Sequence, residues 1–145
     1  MPHVTLQISP GGPIVDLLVG VSIPRAEALQ RADQAVPNAV RIRGLVDTGA
    51  SGTCVDPSCI RALDLSPTGQ TAIHTPSTGE TAHICSQYDI SLVLLHPRLK
   101  FTIQALPVIE ASLSLQGIQA LLGRDVLARC LFVYDGAAGI FTLAF

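Results

Sequence analysis

The segment best suited to chemistry is Leu45-Val46-Asp47-Thr48-Gly49-Ala50, in which a carboxylate follows an apolar stretch. Aspartate is disfavoured in strands and costly to bury unless its oxygens are hydrogen-bonded. Gly49 permits a sharp turn that brings backbone N–H groups towards the carboxylate, and Thr48 offers a hydroxyl. Two interpretations are open: Asp47 starts an ordinary turn through its own side chain, or it acts as a catalytic acid or base.

Other reactive side chains form no comparable pattern. Ser51 lies in Gly-Ala-Ser-Gly, which does not match the Gly-x-Ser-x-Gly nucleophile elbow. Cys54 and Cys59 lack zinc-ligand spacing, so no metal and no other cofactor is predicted. The cysteines are expected to be reduced thiols packed as small apolar groups. The histidines are scattered along the chain at His3, His74, His83 and His96.

The composition predicts one globular domain spanning residues 1–145. Apolar residues make up 48% of the chain and charged residues 14%, with a formal net charge of -2. Without a basic stripe, nucleic acid is not an expected partner. The N-terminal segment lacks the features of a signal peptide, and no apolar run is long enough to span a membrane. These features predict a cytoplasmic protein with no membrane partner.

Most of the first half of the chain reads as strands that lead to Asp47. Residues 4–8 alternate apolar and polar side chains, and residues 14–23 continue this pattern after a Pro-Gly-Gly-Pro turn, which predicts a hairpin. Residues 24–39 differ in composition and are predicted to be a surface insertion with one or two helical turns. Residues 40–46 form a strand that ends at Asp47.

The second half predicts further strands and short helical turns. Residues 57–63 begin with proline and are predicted to be helical, and residues 70–95 form a long hairpin. Another strand follows at residues 99–106. A short helix is predicted within residues 123–130, followed by strands at residues 131–134 and 139–145. The predicted fold class is all-β.

Two motifs resemble the retroviral-type aspartic proteases, the retropepsins. The first is the segment around Asp47-Thr48-Gly49, and the second is Ala120-Leu121-Leu122-Gly123-Arg124-Asp125-Val126-Leu127. The second is similar to the family's apolar-apolar-Gly-Arg segment, which packs behind the catalytic loop. A hairpin separates the two motifs, and the chain ends in an apolar strand, so the resemblance covers nearly the whole chain.

The resemblance implies a retropepsin-like acid protease fold, in which a single domain forms a closed β-barrel-like half with one short C-terminal helix. It also implies an aspartic endopeptidase that acts as a homodimer on a peptide or protein substrate. Two Asp47 carboxylates, one from each protomer, would share a proton and activate a water. Asp125 lacks a following Thr-Gly, so the second carboxylate is expected from a second copy.

The resemblance implies a role for each of several residues in this sequence. Asp47 is the expected catalytic residue, supported in its loop by Thr48, Gly49 and Ala50, while Gly123 and Arg124 lie behind the active site. The terminal strands, residues 4–8 and 141–145, are expected at the dimer interface. The tip of the 70–95 hairpin would form a flap over the substrate, and it comprises Thr75, Pro76, Ser77, Thr78 and Gly79.

The sequence departs from the family at two places. Ser51 stands where retroviral enzymes carry an acidic residue, so Arg124 either pairs elsewhere or meets backbone carbonyls. The flap tip contains Pro76 rather than a run of glycines. An alternative function is therefore a non-catalytic dimeric binding or scaffold module that keeps the fold.

Overall fold

The computed structural model of this chain describes residues 1–74 and 79–145, which form ten strands in two sheets with three short α-helices. The strands are β1 His3–Gln7, β2 Ile14–Val21, β3 Val40–Val46, β4 Cys54–Val55, β5 Gly69–Ile73, β6 His83–His96, β7 Leu99–Glu110, β8 Ala120–Leu122, β9 Leu131–Asp135 and β10 Ile140–Ala144. The helices are α1 Ile23–Arg31, α2 Pro57–Ala62 and α3 Arg124–Leu127, and a single 3₁₀ turn covers Ser114–Gln116.

Six strands close into a barrel, which confirms the predicted architecture. Their order is β2-β3-β8-β4-β7-β6, and β6 pairs again with β2 to complete the ring. The pairs β3–β8 and β4–β7 are parallel, whereas the other pairs in the ring are antiparallel. Among the described strands of this sheet, closure leaves a free edge only at β5, which extends from β6.

The barrel interior is aliphatic because inward positions alternate with outward ones along each strand. In β2, for example, Val15, Leu17 and Val19 are buried, whereas Asp16 and Leu18 between them are partly exposed. Equivalent inward side chains from the neighbouring strands complete the core, among them Ile42, Val46, Ile90, Leu92, Leu94, Ile103, Val108 and Leu122.

The second sheet has the order β1-β10-β9 and covers one end of the core with Val4, Phe141 and Leu143. The predicted hairpin between the first two strands is wrong, because β1 pairs with β10 and β2 pairs with β3 and β6. The Pro-Gly-Gly-Pro turn forms only an isolated bridge between Ser9 and Gly12. The two strands then diverge into different sheets.

The expectation of one short C-terminal helix is incomplete, since α1 and α2 accompany α3. The first of them, α1, lies largely in the 24–39 insertion. The Ser22 hydroxyl accepts the Arg25 N–H at 3.3 Å at its N-terminus, a proline follows in the first turn, and Leu29 is buried. None of the helices described in residues 1–74 and 79–145 is long and apolar enough to cross a membrane.

The predicted 70–95 hairpin has its two arms in β5 and β6. Their antiparallel register runs from the pair Gly69–Gln87 to the pair Ile73–His83. Thr75, Pro76, Ser77 and Thr78, predicted as the flap tip, lie outside the described residues. Gly79 is described and has a positive φ of 59°, a backbone conformation that favours glycine.

Candidate active site

Asp47 lies directly after β3, at the point where the strand leaves the barrel. Its backbone N–H donates to Leu122 O of β8 at 3.0 Å, which extends the parallel pairing beyond the last strand residue. Its side chain is half-buried, and Oδ1 accepts the N–H of Gly49 at 2.9 Å. The loop therefore holds the carboxylate in a fixed orientation while leaving it accessible.

The three residues after Asp47 surround this carboxylate in different ways. A Cβ at Gly49 would lie 3.1 Å from Asp47 Oδ1, so glycine permits the close approach of backbone and carboxylate. Thr48 is exposed, and its carbonyl faces Arg124. The N–H of Ala50 donates to Asp47 O at 3.3 Å and closes the turn. The structure thus brings together the four predicted residues of the loop.

Arg124 lies behind this loop and donates from Nη1 to two backbone carbonyls, Thr48 O at 2.9 Å and Gly49 O at 3.3 Å. Its own N–H donates to Ala50 O at 2.9 Å. Of the two alternatives for this arginine, the contact with backbone carbonyls is the one that forms. One residue therefore holds three consecutive residues of the loop.

Gly123 has no room for a side chain. A Cβ built on it would lie 2.5 Å from the carbonyl carbon of Gly52 and 2.6 Å from its oxygen. Two backbone segments, one on each side of the site, touch at this point. Glycine is therefore required by close packing rather than by a positive φ.

Thr53 and Asp125 also support the site, a role that the sequence did not predict for either residue. Asp125 Oδ1 accepts the Thr53 hydroxyl at 2.7 Å, and Oδ2 accepts the Thr53 N–H at 3.0 Å. The Thr53 hydroxyl in turn accepts the N–H of Gly123 at 3.1 Å. A threonine six residues after Asp47 is a faint sequence signal on its own. Its partner is 72 residues away, which local patterns do not reveal.

Asp56 is a structural carboxylate whose role was not predicted from the sequence, although an aspartate before Pro57 is a helix-start signal. Oδ1 accepts the Ser58 N–H, and Oδ2 accepts the N–H groups of Leu113 and Ser114 at 2.8 and 3.0 Å. Burial raises the pKa of this carboxyl, but the hydrogen bonds outweigh burial and lower the pKa to about 2. Asp56 is thus a structural anion that joins α2 to the loop before β8.

A groove of about 490 Å³ opens above Asp47. The Asp47 loop forms one side, and the β5 arm of the hairpin forms another with Thr71, Ile73 and His74. Val108 and Ile109 supply apolar surface between them. Within the described part of the chain, Asp47 is the only acidic residue that lines this groove.

The four cysteines are free thiols. Cys54 lines the groove, where burial and then the negative charge of Asp125 raise its pKa to about 11. Burial likewise raises the pKa of Cys130 to about 11. Both groups are therefore protonated near neutral pH and are poor nucleophiles. Across residues 1–74 and 79–145, no three His, Cys, Asp or Glu side chains are grouped as they would be to hold a metal ion.

Comparison with known proteins agrees with this geometry. The sequence model described as "Aspartyl protease" matches residues 34–126, which include the Asp47 loop and the Gly123-Arg124 segment. A search of curated proteins found no significant match. Among solved structures, the chain is similar to a retropepsin-like aspartic protease from Rickettsia conorii, with 16% identity and a TM-score of 0.58. That match covers 99% of this chain and 91% of the other.

A second similar structure is the retroviral protease-like domain of Ddi1 from Leishmania major, with 12% identity and a TM-score of 0.46, covering 90% of this chain and 88% of that one. The match to the family's sequence model covers well over half of the chain. The chain belongs to the retropepsin-like aspartyl protease family.

Proposed function

We propose that this protein is an aspartic endopeptidase whose catalytic centre contains two Asp47 carboxylates, one from each of two copies. The observation that carries this proposal is the isolation of Asp47 as the only acid in the described lining of the groove. Asp125 does not supply the second carboxylate, because both of its oxygens already accept hydrogen bonds from Thr53. A second copy related by a two-fold axis supplies an identical carboxylate.

The chemistry requires one ionised and one protonated carboxyl group. Two carboxylates placed side by side cannot both ionise comfortably, so the pair holds one proton. The ionised member takes a proton from a water, whose oxygen attacks the carbonyl carbon of the peptide bond. The protonated member gives its proton to the carbonyl oxygen. As the tetrahedral intermediate collapses and its C–N bond breaks, the carboxyl that took the water proton gives it to the leaving nitrogen. The other carboxylate takes the proton of one hydroxyl group of the intermediate, so the pair again holds one proton.

The groove supports binding of an extended peptide. Its lining of Ala50, Ile73, Pro107, Val108 and Ile109 is suited to apolar substrate side chains. The β5 arm lies beside the groove and pairs only with β6 among the described strands. In this proposal the hairpin covers the substrate and excludes water from the reacting atoms.

The test is cleavage of a diverse peptide library by the wild type and by Asp47→Asn. The asparagine nearly preserves shape but cannot exchange the proton, so we expect cleavage to be lost while the thermal unfolding curve is kept. Asp33→Asn is the matched control, because Asp33 is exposed and has a φ of 56°, a conformation that asparagine tolerates. Cleavage by Asp47→Asn at the wild-type rate, or a wild type that binds peptides without cleaving them, would refute the proposal.

A further inference from the structure

A second depression, of about 620 Å³, opens on the outside of the barrel near the turn that joins β6 to β7. Its described lining is aliphatic and basic and contains no acidic residue. The lining comes from the outward side of β2, from the end of β6, from the turn and from the start of β7. This composition differs from that of the groove above Asp47, whose described lining has no Lys or Arg.

The centre of the depression is aliphatic because three side chains that point out of the barrel lie together. Leu18 on β2 is the cross-strand partner of Val93 on β6, and Leu95 follows two residues later on the same side of β6. All three are partly exposed, whereas their neighbours Leu17 and Leu94 point inward and are buried. The hydrogen-bonded strands of the barrel thus hold a small aliphatic surface open to solvent.

Two exposed arginines border this aliphatic surface on the β3 side. Arg41 is the cross-strand partner of Leu18, and Arg43 lies two residues further along the same side of β3. Arg41 is paired with Asp16, with 2.7 Å between Nη2 and Oδ2. Arg43 has a neutral partner, since its Nη1 donates to Gly117 O at 3.4 Å. The charge of Arg43 is therefore not balanced by a carboxylate.

The cations on the opposite side come from the turn and from β7. Lys100 is the cross-strand partner of Leu95, and both Lys100 and Arg98 are exposed. The backbone N–H of Arg98 donates to His96 Nδ1 at 3.2 Å, which fixes the turn. In the described part of the chain the one ion pair is that on the β3 side, so neither of these two cations is paired with a carboxylate there.

The three aliphatic residues and the four cations around them form a surface that we call the basic face. It has four Lys or Arg side chains and one carboxylate, and hence a formal charge of +3, whereas the whole chain has a formal net charge of -2. The cations from β3 and β7 are separated by three strand spacings, or about 14 Å. A local charge opposite in sign to that of the molecule favours a partner that is itself acidic.

We infer that the basic face is a docking site for an acidic segment of another protein, in which aliphatic side chains are flanked by Glu or Asp. The aliphatic side chains of the segment cover Leu18, Val93 and Leu95, and its carboxylates meet the cations on both sides. A span of about 14 Å accommodates about four residues of extended peptide. The aliphatic centre favours a peptide over a nucleic acid, because phosphates and sugars would leave this centre without an apolar partner.

The partner binds through side chains, because the backbone at the centre of the face is already paired. At Leu18, β2 lies between β3 and β6, and at Val93, β6 lies between β2 and β7. The face is also remote from the groove above Asp47. Gln87 of β6 lines that groove, and Leu95 is further along the same strand by roughly 25 Å. Docking therefore leaves the groove accessible and does not depend on the proposed function.

Fluorescence anisotropy with a labelled peptide, Glu-Glu-Leu-Val-Leu-Glu-Glu, tests the docking site. The Asp47→Asn protein is used so that the probe is not cleaved. We expect saturable binding that weakens as the ionic strength rises from about 0.05 M to about 0.3 M, since exposed charges are screened by salt. The absence of saturable binding at low salt would overturn the inference.

Two altered probes separate the contributions of charge and apolar surface without any change to the protein. Gln in place of every Glu, or Ser in place of every aliphatic residue, should each weaken binding by about tenfold or more. Binding of the serine probe as tightly as the original would show a purely ionic surface and would overturn the stated chemistry. So would equally tight binding of an oligothymidylate with the same number of charges, which would make nucleic acid the occupant.

Charge reversal locates the site on the protein. Arg98→Glu combined with Lys100→Glu should weaken binding by about tenfold, because attraction is replaced by repulsion. Arg25→Glu combined with Arg31→Glu changes the net charge equally at exposed positions of α1, and should bind the probe as the parent protein does. Thermal unfolding checks that both double variants are folded. Equal weakening by the two pairs would show a response to net charge alone and would overturn the site.

Cleavage separates this inference from the proposed function. With Asp47 intact, Arg98→Glu combined with Lys100→Glu should cleave a peptide without acidic residues at the wild-type rate, because the basic face lies away from the groove. A loss of that cleavage in a folded double variant would overturn a docking site that is separate from the groove. A wild type that binds the acidic probe but cleaves no peptide would refute the proposed function and leave the docking site standing.

Discussion

Thr53 donates both its hydroxyl and its backbone N–H to the carboxylate of Asp125, at 2.7 and 3.0 Å. The same hydroxyl accepts the N–H of Gly123. Thr53 is 1% exposed and Gly123 is buried, whereas Asp125 is partly exposed. It ties the chain just after the Asp47 loop to the start of α3, and it keeps Arg124 within reach of that loop.

Thr53→Val should lower the free energy of unfolding by about 1–3 kcal/mol, because the buried Gly123 N–H loses its acceptor while side-chain shape is kept. Urea denaturation of the wild type and the variant measures this difference. Thr53→Ser keeps the hydroxyl and should lie closer to the wild type. If valine and serine variants were equally stable, the hydroxyl would have no role in holding the two segments.

Gly123→Ala should destabilise the protein by about 1–3 kcal/mol, since the new methyl group overlaps the backbone of Gly52. The strain falls next to the Asp47 loop, so under the proposed function kcat/KM should fall as well. Gly69→Ala is the control, because a Cβ there meets no atom within 4 Å. Thermal unfolding and peptide cleavage of both variants check the prediction, and equal effects at the two glycines would contradict it.

Arg124→Lys should reduce kcat/KM more than it reduces stability. Lysine keeps the charge, but its ammonium is one bond nearer the backbone than Arg124 Nη1, which alone donates to both Thr48 O and Gly49 O, so lysine should reach these carbonyls less well. Arg129→Lys, a change at an exposed arginine just beyond α3, serves as the control. Steady-state kinetics beside urea denaturation separates the two effects. A parallel loss of both quantities would mean that Arg124 supports the fold as a whole and not the loop in particular.

Asp56→Asn should make the protein less stable by about 1–3 kcal/mol above pH 3.8, since the neutral amide is a weaker acceptor for three N–H groups. The folded-state pKa of about 2 lies below the ordinary value of 3.8. The stabilisation by Asp56 is therefore complete above pH 3.8 and is lost as the pH falls towards 2.

The free energies of unfolding of wild type and Asp56→Asn should accordingly converge as the pH falls below 3.8. Denaturant titrations at a series of pH values give this difference directly. A gap that stayed constant down to pH 2 would show that ionisation of Asp56 does not contribute.

Local sequence patterns predicted the positions of strands and helices better than they predicted which strands pair with each other. The alternation in residues 40–46 correctly placed a strand before Asp47, and Pro57 correctly placed the start of a helix. The apolar alternation of β1 is equally compatible with any neighbouring strand. Its pairing with β10 depends on packing between the two ends of the chain, which no short window of sequence contains.

The conformation of the Asp47 loop was predictable because its hydrogen bonds are local. The N–H groups of Gly49 and Ala50 donate to Asp47, which lies two and three residues earlier in the chain. The supports of the loop were predictable only in part. Gly123 and Arg124 were found through a motif, whereas Thr53 and Asp125 show their role only when the barrel brings them together. Their hydrogen bonds depend on the closure of six strands.

The contacts that hold the Asp47 loop have a consequence for biosynthesis. The Asp47 N–H bonds to Leu122 O, and Arg124 bonds to Thr48 O across 76 positions of sequence. Contacts of such separation form late in folding, because a long chain segment must first be ordered. A nascent chain that has not yet emerged beyond Arg124 lacks both contacts. Until then the Asp47 loop has only its local bonds, such as the one from Gly49 N–H to Asp47 Oδ1, and on the ribosome it can be assembled only after the chain through Arg124 has left the exit tunnel.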